Sequence, residues 1–168
     1  TFFLFALTLV AQDNGLFQVW NSKDALSQTS HMLEHTVKPM DTVRIGIIGL
    51  GNRGQMALER LPKIVGVQIK AISDIDSSKV NQSAERYFLN GNITVPDLYY
   101  SPSDWKSICE RDDIDLIYVC THWELHTPIA VYAMNHGKHV AVEVPAALTI
   151  KECWELVNTS EKTKKHCI

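Results

Sequence analysis

The sequence predicts an α/β fold, a doubly wound parallel sheet whose strands are joined by crossover helices. From Val43 onwards, short and largely apolar runs that predict strands recur at residues 43–48, 67–72, 98–100, 116–120 and 140–142. The segments between them place apolar residues at helical spacing. Strands that alternate with helices indicate a parallel sheet, because parallel neighbours need crossover connections.

Glycine, proline and aspartate residues mark the ends of the first predicted strands and of the first predicted helix. Strand 43–48 breaks at Gly49, and the helical stripe after it stops at Pro62, which cannot continue a helix. Strand 67–72 leads into Asp74. The following helix carries apolar side chains at i, i+4, i+7 and i+8, on Val80, Ala84, Tyr87 and Phe88.

Capping residues delimit the later helices. Ser103 is the predicted cap of the helix after strand 98–100. For the next helix, Thr127 is the predicted N-cap, Pro128 the first helical residue and Gly137 the end. A capping box of Thr149 and Glu152 opens the last helix. The last helix has a predicted inward stripe of Cys153, Leu156 and Val157. Strand 116–120 is apolar throughout, as expected for a strand covered on both faces. Residues 166–168 predict the start of a further strand.

Residues 1–41 differ in composition from the rest. Residues 1–11 are charge-free and apolar, too short to span a bilayer and of the length of a signal-peptide core. We expect a partial signal peptide at residues 1–11, with a buried N-terminal strand as the alternative. A signal peptide implies an exported bacterial protein, periplasmic or secreted, without a membrane span. Residues 12–41 are polar and aperiodic, which predicts a linker to one domain at 42–168.

Composition argues against a nucleic-acid partner. The formal net charge is −3, and no run of Lys and Arg with interleaved aromatic residues is present. The four cysteines, Cys109, Cys120, Cys153 and Cys167, lack the spacing of a zinc site. We expect them to be buried free thiols.

A glycine-rich hexamer joins the first strand to the first helix. Gly49, Gly51 and Gly54 fit the pattern G-x-G-x-x-G, and Asp74 follows Gly49 by 25 residues. In this context Gly49 permits a tight turn, Gly51 lets a pyrophosphate approach the backbone, and Gly54 lets the helix pack closely. The N–H groups at the helix N-terminus attract phosphate. This predicts a Rossmann-type dinucleotide site; a glycine-rich turn without a ligand is the alternative.

The predicted cofactor is NAD rather than NADP. Asp74 stands where an acidic residue binds the adenosine ribose, and no arginine adjoins it to receive a 2′-phosphate. A carboxylate at this position would repel that phosphate.

Two further segments follow predicted strands. Residues 121–126, which begin with Thr121, come after strand 116–120, and Glu143 and Val144 come after strand 140–142. Ligands of parallel sheets bind at the edge where the carboxyl ends of the strands meet. We therefore expect both segments to contact the dinucleotide or a substrate, in the same crevice as the glycine loop.

Alternatives exist for residues 121–126. His122 and His126 are four residues apart, so a metal site is one alternative, but the helix that would align them is predicted to start only at Thr127. A capped loop without chemistry is another. For Trp123, packing in the core is the alternative to stacking on the cofactor. We expect no metal.

At these residues the chain resembles the glucose–fructose oxidoreductase and inositol dehydrogenase superfamily. The resemblance implies a Rossmann domain followed by a C-terminal α/β domain that carries the substrate site, so we expect the chain to stop before that domain. The superfamily signature after the fifth strand is Glu-Lys-Pro. Here it is Glu143-Val144-Pro145, so the lysine associated with dehydrogenase chemistry is absent.

Within that superfamily, the chain most resembles the family of NAD-dependent α-N-acetylgalactosaminidases. The residues that carry this resemblance are 121–126, 142–149, 152–154 and 159–162. This resemblance implies NAD contacts at Asn52, Arg53, Asp74, Trp123, Glu124, Leu125, His126, Glu143 and Val144. Leu125 departs from the tryptophan-rich version of its segment in that family.

The resemblance also implies an activity. A glycoside would be cleaved by transient oxidation at C3, elimination, water addition and re-reduction, with NAD as cofactor and with a glycan or small molecule as substrate. Catalytic groups would come from the second domain, so none is assigned here, and homo-oligomer formation through that domain stays open. An NAD-dependent sugar or cyclitol dehydrogenase and a non-catalytic NAD- or sugar-binding module are the alternatives.

Overall fold

The computed structural model describes residue 32 and residues 35–91 and 93–168. Five strands form its centre: β1 (Val43–Ile48), β2 (Val67–Ser73), β3 (Asp97–Tyr99), β4 (Leu116–Val119) and β5 (His139–Val142). All neighbouring strands run parallel, in the order β3–β2–β1–β4–β5. The predicted parallel α/β sheet is confirmed. The predicted signal peptide lies outside the described residues, as does most of the predicted linker.

Helices connect the strands: α1 (Asn52–Arg60), α2 (Ser77–Ala84), α3 (Asp104–Glu110), α4 (His126–Asn135) and α5 (Ile150–Thr163). A 3₁₀ turn, Leu61–Lys63, ends α1, a π-helical turn, Glu85–Leu89, extends α2, and a 3₁₀ turn, Trp123–Leu125, precedes α4. In the described ranges, no helix has both the length and the apolar character needed to cross a bilayer.

Two apolar layers cover the faces of the sheet. One layer joins β1 and β2 to α1 and α2, through Ile47, Ile72, Leu58, Val80 and Phe88. The other joins β1, β4 and β5 to the remaining helices, through Ile48, Ile117, Val140, Ile108, Ile129 and Met134. With both faces packed, the edge where the strands end is the part of the sheet that can receive a ligand.

The start of α4 differs from the prediction. Thr127 is not an N-cap: the helix begins at His126, and the residue at the cap position is Leu125. The hydroxyl of Thr127 is buried and donates to the backbone oxygen of Ala146 at 3.0 Å. The Thr127 hydroxyl therefore bonds to a residue distant in sequence and does not cap the helix, and no local sequence pattern predicts such a distant partner.

The predicted stripe of α5 is partly wrong. Leu156 is buried, but Cys153 and Val157 are exposed beside an open apolar groove. Cys109 and Cys120 are buried and Cys167 is half-buried, so the prediction of buried thiols fails for Cys153. The capping box of α5 is confirmed, because the Thr149 hydroxyl accepts from the N–H of Glu152 and the Glu152 carboxylate accepts from the N–H of Thr149.

The predicted strand at 166–168 forms a short parallel bridge beside β5. The N–H of Ile168 donates to the oxygen of Val140 at 3.0 Å, and the N–H of Val142 donates to the oxygen of Ile168 at 2.8 Å. This segment also brings His166 against His139, whose rings stack with centroids 5.3 Å apart.

A histidine cluster links three parts of the chain. The N–H of His166 donates to Nδ1 of His139 at 3.0 Å, and the ring of His35 lies 5.4 Å from that of His166. Burial lowers the pKa of His139 from its ordinary 6.5, with help from the charges of Lys165, His166 and His35, while Asp115 acts in the opposite direction. Nδ1 can accept this hydrogen bond only when it carries no proton.

Because of this histidine cluster, we expect the free energy of unfolding to decrease in mild acid. The folded state keeps His139 neutral, so the unfolded state binds more protons once the pH drops below about 6.5. Stability is therefore full above that value and is lost as the pH falls through the lowered pKa. Urea unfolding at several pH values checks this. His139→Asn, which keeps an acceptor without titrating, should flatten the pH dependence, and His136→Asn at an exposed position should not.

Candidate functional site

A pocket of about 420 Å³ lies at the carboxyl edge of the sheet. Its walls come from the ends of β1, β2 and β4, from the loop after β3, and from the starts of the helices that follow these strands. They comprise Ile48, Gly49, Gly51, Asn52, Arg53, Ser73, Asp74, Ile75, Lys79, Ser101, Pro102, Trp105, Cys120, Thr121, His122, Leu125 and Ile129. The structure thus brings the glycine loop, the acidic residue and part of segment 121–126 into one cavity.

The three motif glycines meet different surroundings. Gly49 has a φ of 95°, and a Cβ there would lie 2.6 Å from the backbone carbonyl of Cys120. A Cβ at Gly54 would lie 2.1 Å from the oxygen of Gly49. At Gly51, by contrast, a Cβ would meet no described atom within 4 Å. Protein packing therefore requires glycine at 49 and 54, while at 51 the space beside the backbone is open.

The helix that follows this loop presents an uncapped N-terminus. Gly51 is the N-cap of α1, and no side chain bonds to the first N–H groups of the helix. Those groups have no partner within a helix and carry its positive dipole end. Asn52 and Arg53, at the first two helical positions, line the pocket. The loop can therefore receive an anionic group through backbone donors and the helix dipole.

Asp74 closes the other side of the glycine loop. One carboxylate oxygen accepts from the N–H of Leu50 at 2.7 Å, and the other accepts from the N–H of Asp76 at 2.9 Å. These bonds fix the side chain at the rim of the pocket. A carboxylate has about four acceptor positions, so Asp74 can still bind hydroxyl groups of a ligand.

Segment 121–126 contributes to the pocket unevenly. Thr121, His122 and Leu125 line the pocket. Trp123 is 58% exposed and Glu124 is also exposed, so neither packs in the core, and neither lines the pocket. Their contact with a cofactor stays a prediction.

His126 is buried at the start of α4, and its contact with a cofactor stays a prediction. The ring is buried, with Nε2 3.0 Å from the oxygen of Thr121 and Nδ1 2.9 Å from the oxygen of Pro145. Each nitrogen thus lies within hydrogen-bond distance of a backbone oxygen, so His126 joins the β4 and β5 loops, and it is not among the residues that line the pocket. In the described ranges no three His, Cys, Asp or Glu side chains are grouped to hold a metal ion.

Glu143 connects β5 to the glycine loop. One carboxylate oxygen accepts from the hydroxyl of Tyr118 at 2.6 Å, and the other lies 3.7 Å from Nε of Arg53. Burial and this hydrogen bond raise the pKa of Tyr118, so the phenol stays protonated and holds the carboxylate. Val144 is 76% exposed outside this network. Glu143 and Val144 therefore flank the pocket without lining it.

Several site residues were missed from the sequence. Lys79, Ser101, Pro102 and Trp105 line the pocket from α2 and from the start of α3, and Tyr118 anchors Glu143 from within β4. No motif spacing relates these residues to the glycine loop. Only a polar hydroxyl in an otherwise apolar strand could have drawn attention to Tyr118. Burial also raises the pKa of the Cys120 thiol to about 12, so this side chain lines the pocket as an uncharged thiol.

The pocket fits a dinucleotide. Open space beside Gly51, an uncapped helix N-terminus and a fixed carboxylate at the end of β2 are the features that a pyrophosphate and an adenosine ribose require. Fold and site define the protein as a Rossmann-type dinucleotide-binding domain. The chain belongs to the oxidoreductase family with an NAD-binding Rossmann fold, whose family model matches residues 43–168.

Known proteins resemble this chain over most of its length. It is 51% identical over 142 residues to an α-N-acetylgalactosaminidase of Bacteroides fragilis, a match that covers 84% of this chain and 33% of that protein. The chain therefore spans about a third of the length of the curated relatives it matches.

Solved structures share the fold. A scyllo-inositol dehydrogenase of Lactobacillus casei with NAD(H) and scyllo-inositol is 20% identical with a TM-score of 0.66, over 76% of this chain and 35% of its own. A biliverdin reductase of Synechocystis with biliverdin and NADP⁺ is 26% identical with a TM-score of 0.64, over 74% of this chain and 36% of its own. Neighbours of this fold thus include binders of either nicotinamide dinucleotide.

Proposed function

We propose that the protein is an NAD-dependent glycosidase that acts on α-N-acetylgalactosaminides. The observation that carries the proposal is the 51% identity to a relative of that name over 84% of this chain. Residue 144 supports it, because valine stands where the dehydrogenase signature has lysine.

The proposed cofactor is NAD, held by residues of the pocket. The N–H groups at the start of α1 and the open face of Gly51 would receive the pyrophosphate. Asp74 would accept hydrogen bonds from the adenosine ribose, and its negative charge disfavours a 2′-phosphate. Thr121, His122 and Leu125 form the wall on the β4 side, which is the proposed nicotinamide side.

When bound, NAD supplies a hydride acceptor and donor for a sugar carbon. The residues of this chain orient and shield that chemistry. Tyr118 holds Glu143, and His126 holds the β4 and β5 loops in register beside the pocket. We extend the proposal to the reaction order of oxidation at C3, elimination, water addition and re-reduction. A pair of catalytic carboxylates is not needed in such a scheme, unlike in ordinary glycoside hydrolysis.

A sugar or cyclitol dehydrogenase is the second candidate, favoured by the fold shared with a scyllo-inositol dehydrogenase. The two candidates differ in the fate of the reducing equivalents. A glycosidase of the proposed type returns the hydride in every cycle, whereas a dehydrogenase accumulates NADH in proportion to product.

The test is hydrolysis of an aryl α-N-acetylgalactosaminide by the full-length protein. We expect release of the aryl group without net formation of NADH, loss of activity when NAD is stripped, and recovery when NAD is added back. The matched control is the aryl β-anomer with the same preparation. NADH accumulation with free sugars, together with no release of the aryl group, would reject the glycosidase in favour of the dehydrogenase.

A further inference from the structure

A tryptophan lies exposed at the carboxyl edge of the sheet, beside the pocket. Trp123 opens the 3₁₀ turn that precedes α4, and it is 58% exposed. Its neighbours His122 and Leu125 line the pocket, whereas Trp123 does not. The segment therefore places two side chains in the pocket wall and the indole outside that wall.

A carboxylate adjoins the indole in sequence. Glu124 is the next residue of the same turn, and its side chain is exposed and also lies outside the pocket wall. Within the described part of the chain, Glu124 has no hydrogen-bond or ion-pair partner. Its oxygens are therefore available to accept hydrogen bonds from a ligand.

Buried contacts hold this turn against the loop after β5. Nε2 of His126 lies 3.0 Å from the oxygen of Thr121, and Nδ1 lies 2.9 Å from the oxygen of Pro145. Val144, which precedes Pro145, is 76% exposed. Two neighbouring loops thus each present an exposed apolar side chain, Trp123 and Val144. Because the backbone beneath Trp123 is fixed, a ligand that binds there has little chain entropy to overcome.

An exposed indole beside a carboxylate matches the chemistry of a sugar. A pyranose ring presents polarised C–H bonds on its faces and hydroxyl groups around its rim. The face of an aromatic ring is the negative part of its quadrupole, so it attracts such C–H bonds. A carboxylate accepts hydrogen bonds from hydroxyl groups. Adjacent residues of one turn therefore offer a partner to each part of a sugar.

We propose that Trp123 and Glu124 bind the sugar of the leaving group, the residue to which the α-N-acetylgalactosamine is linked. This inference rests on the proposed function, in which the reacting sugar meets the nicotinamide beside Thr121, His122 and Leu125. The indole and the carboxylate lie outside that wall, so they meet the part of a substrate that extends beyond the reacting ring. In a glycan that part is the next sugar.

Two substrates that share the reacting sugar isolate the contribution of the leaving group. The full-length protein is assayed with methyl α-N-acetylgalactosaminide and with a disaccharide in which α-N-acetylgalactosamine is linked to galactose. The quantity compared is the ratio of kcat/KM for the disaccharide to kcat/KM for the methyl glycoside. Trp123→Ala should lower this ratio about fivefold, because the aromatic contact with the second sugar is lost. Trp123→Phe, which keeps an aromatic face, should restore most of it.

Glu124→Ala should lower the same ratio about threefold, the contribution of one exposed hydrogen bond. Val65→Ala is the matched control. It shortens an exposed apolar side chain just before β2, at the opposite edge of the sheet, and should leave the ratio unchanged.

The outcomes separate this proposal from the one it rests on. An unchanged ratio in Trp123→Ala, or an equal loss with both substrates, would overturn the leaving-group site. If NAD binding measured by calorimetry weakens along with an equal loss, Trp123 belongs to the cofactor site instead. Wild type that cleaves neither substrate would reject the proposed function, and the leaving-group site with it. If Trp123→Ala fails to fold, Glu124→Ala tests the site alone, and an unchanged ratio there would contradict the proposal.

Discussion

Replacing Gly51 with serine is expected to weaken NAD binding about 100-fold, or about 2.7 kcal/mol, while the protein stays folded. A Cβ at this position meets no described atom within 4 Å, so the folded chain has room for it. The backbone at Gly51, with φ −70° and ψ −165°, is in the extended region that serine adopts at helix N-caps. Stability should therefore be unchanged or slightly higher.

The loss of affinity has two physical causes. The new side chain occupies the space through which a pyrophosphate approaches the backbone. Its hydroxyl also accepts from an N–H of the first turn of α1, which removes a donor from the phosphate. Titration with NAD and thermal unfolding, measured on the same preparation of the full-length protein, check both parts. Wild-type affinity in Gly51→Ser would show that the open space at Gly51 is not where a cofactor binds.

Replacing Gly54 with alanine is expected to act on folding instead. The added Cβ would lie 2.1 Å from the backbone oxygen of Gly49, where no side-chain rotation can relieve the overlap. Alanine improves helix propensity by up to about 1 kcal/mol, but overpacking against backbone typically costs about 1–3 kcal/mol or more. Because α1 has to move away from the loop, we expect the free energy of unfolding to fall by about 2 kcal/mol.

Urea unfolding of Gly54→Ala beside Gly51→Ser gives a matched pair within one motif. The first variant should lose stability and the second should lose affinity. A midpoint for Gly54→Ala equal to that of wild type would mean that α1 does not approach the Gly49 carbonyl as closely as the structure shows. NAD affinity should also fall in Gly54→Ala, since the shifted helix carries the phosphate donors with it.

Strand positions were predictable from the sequence because strands covered on both faces of the sheet are largely apolar. The predicted run 43–48 coincides with β1, and the predicted run 116–120 differs from β4 by a single residue, Cys120. The glycine loop was predictable for a related reason, because the chain must turn sharply and approach itself within a few residues. Both are local requirements, so a local pattern can encode them.

Residues that act through distant partners were mispredicted or missed. Thr127 has the sequence context of an N-cap, yet its hydroxyl serves Ala146. The contact of His126 with a cofactor stays a prediction, and the position of its ring between the backbone oxygens of Thr121 and Pro145 was missed. Ala146 and Pro145 lie in the loop after β5, and the sequence contains no spacing rule that relates them to Thr127 and His126.

The sequence by itself determined that this chain forms a parallel sheet with a glycine-rich turn and an acid at the end of the second strand, because strand burial and turn geometry depend on neighbouring residues. Only the tertiary structure decided that Glu143 is held by Tyr118 and that Lys79 shares a pocket with Asp74. Those relations arise when the sheet brings the ends of separate strands to one edge, and their chemistry depends on distances that chain order does not specify.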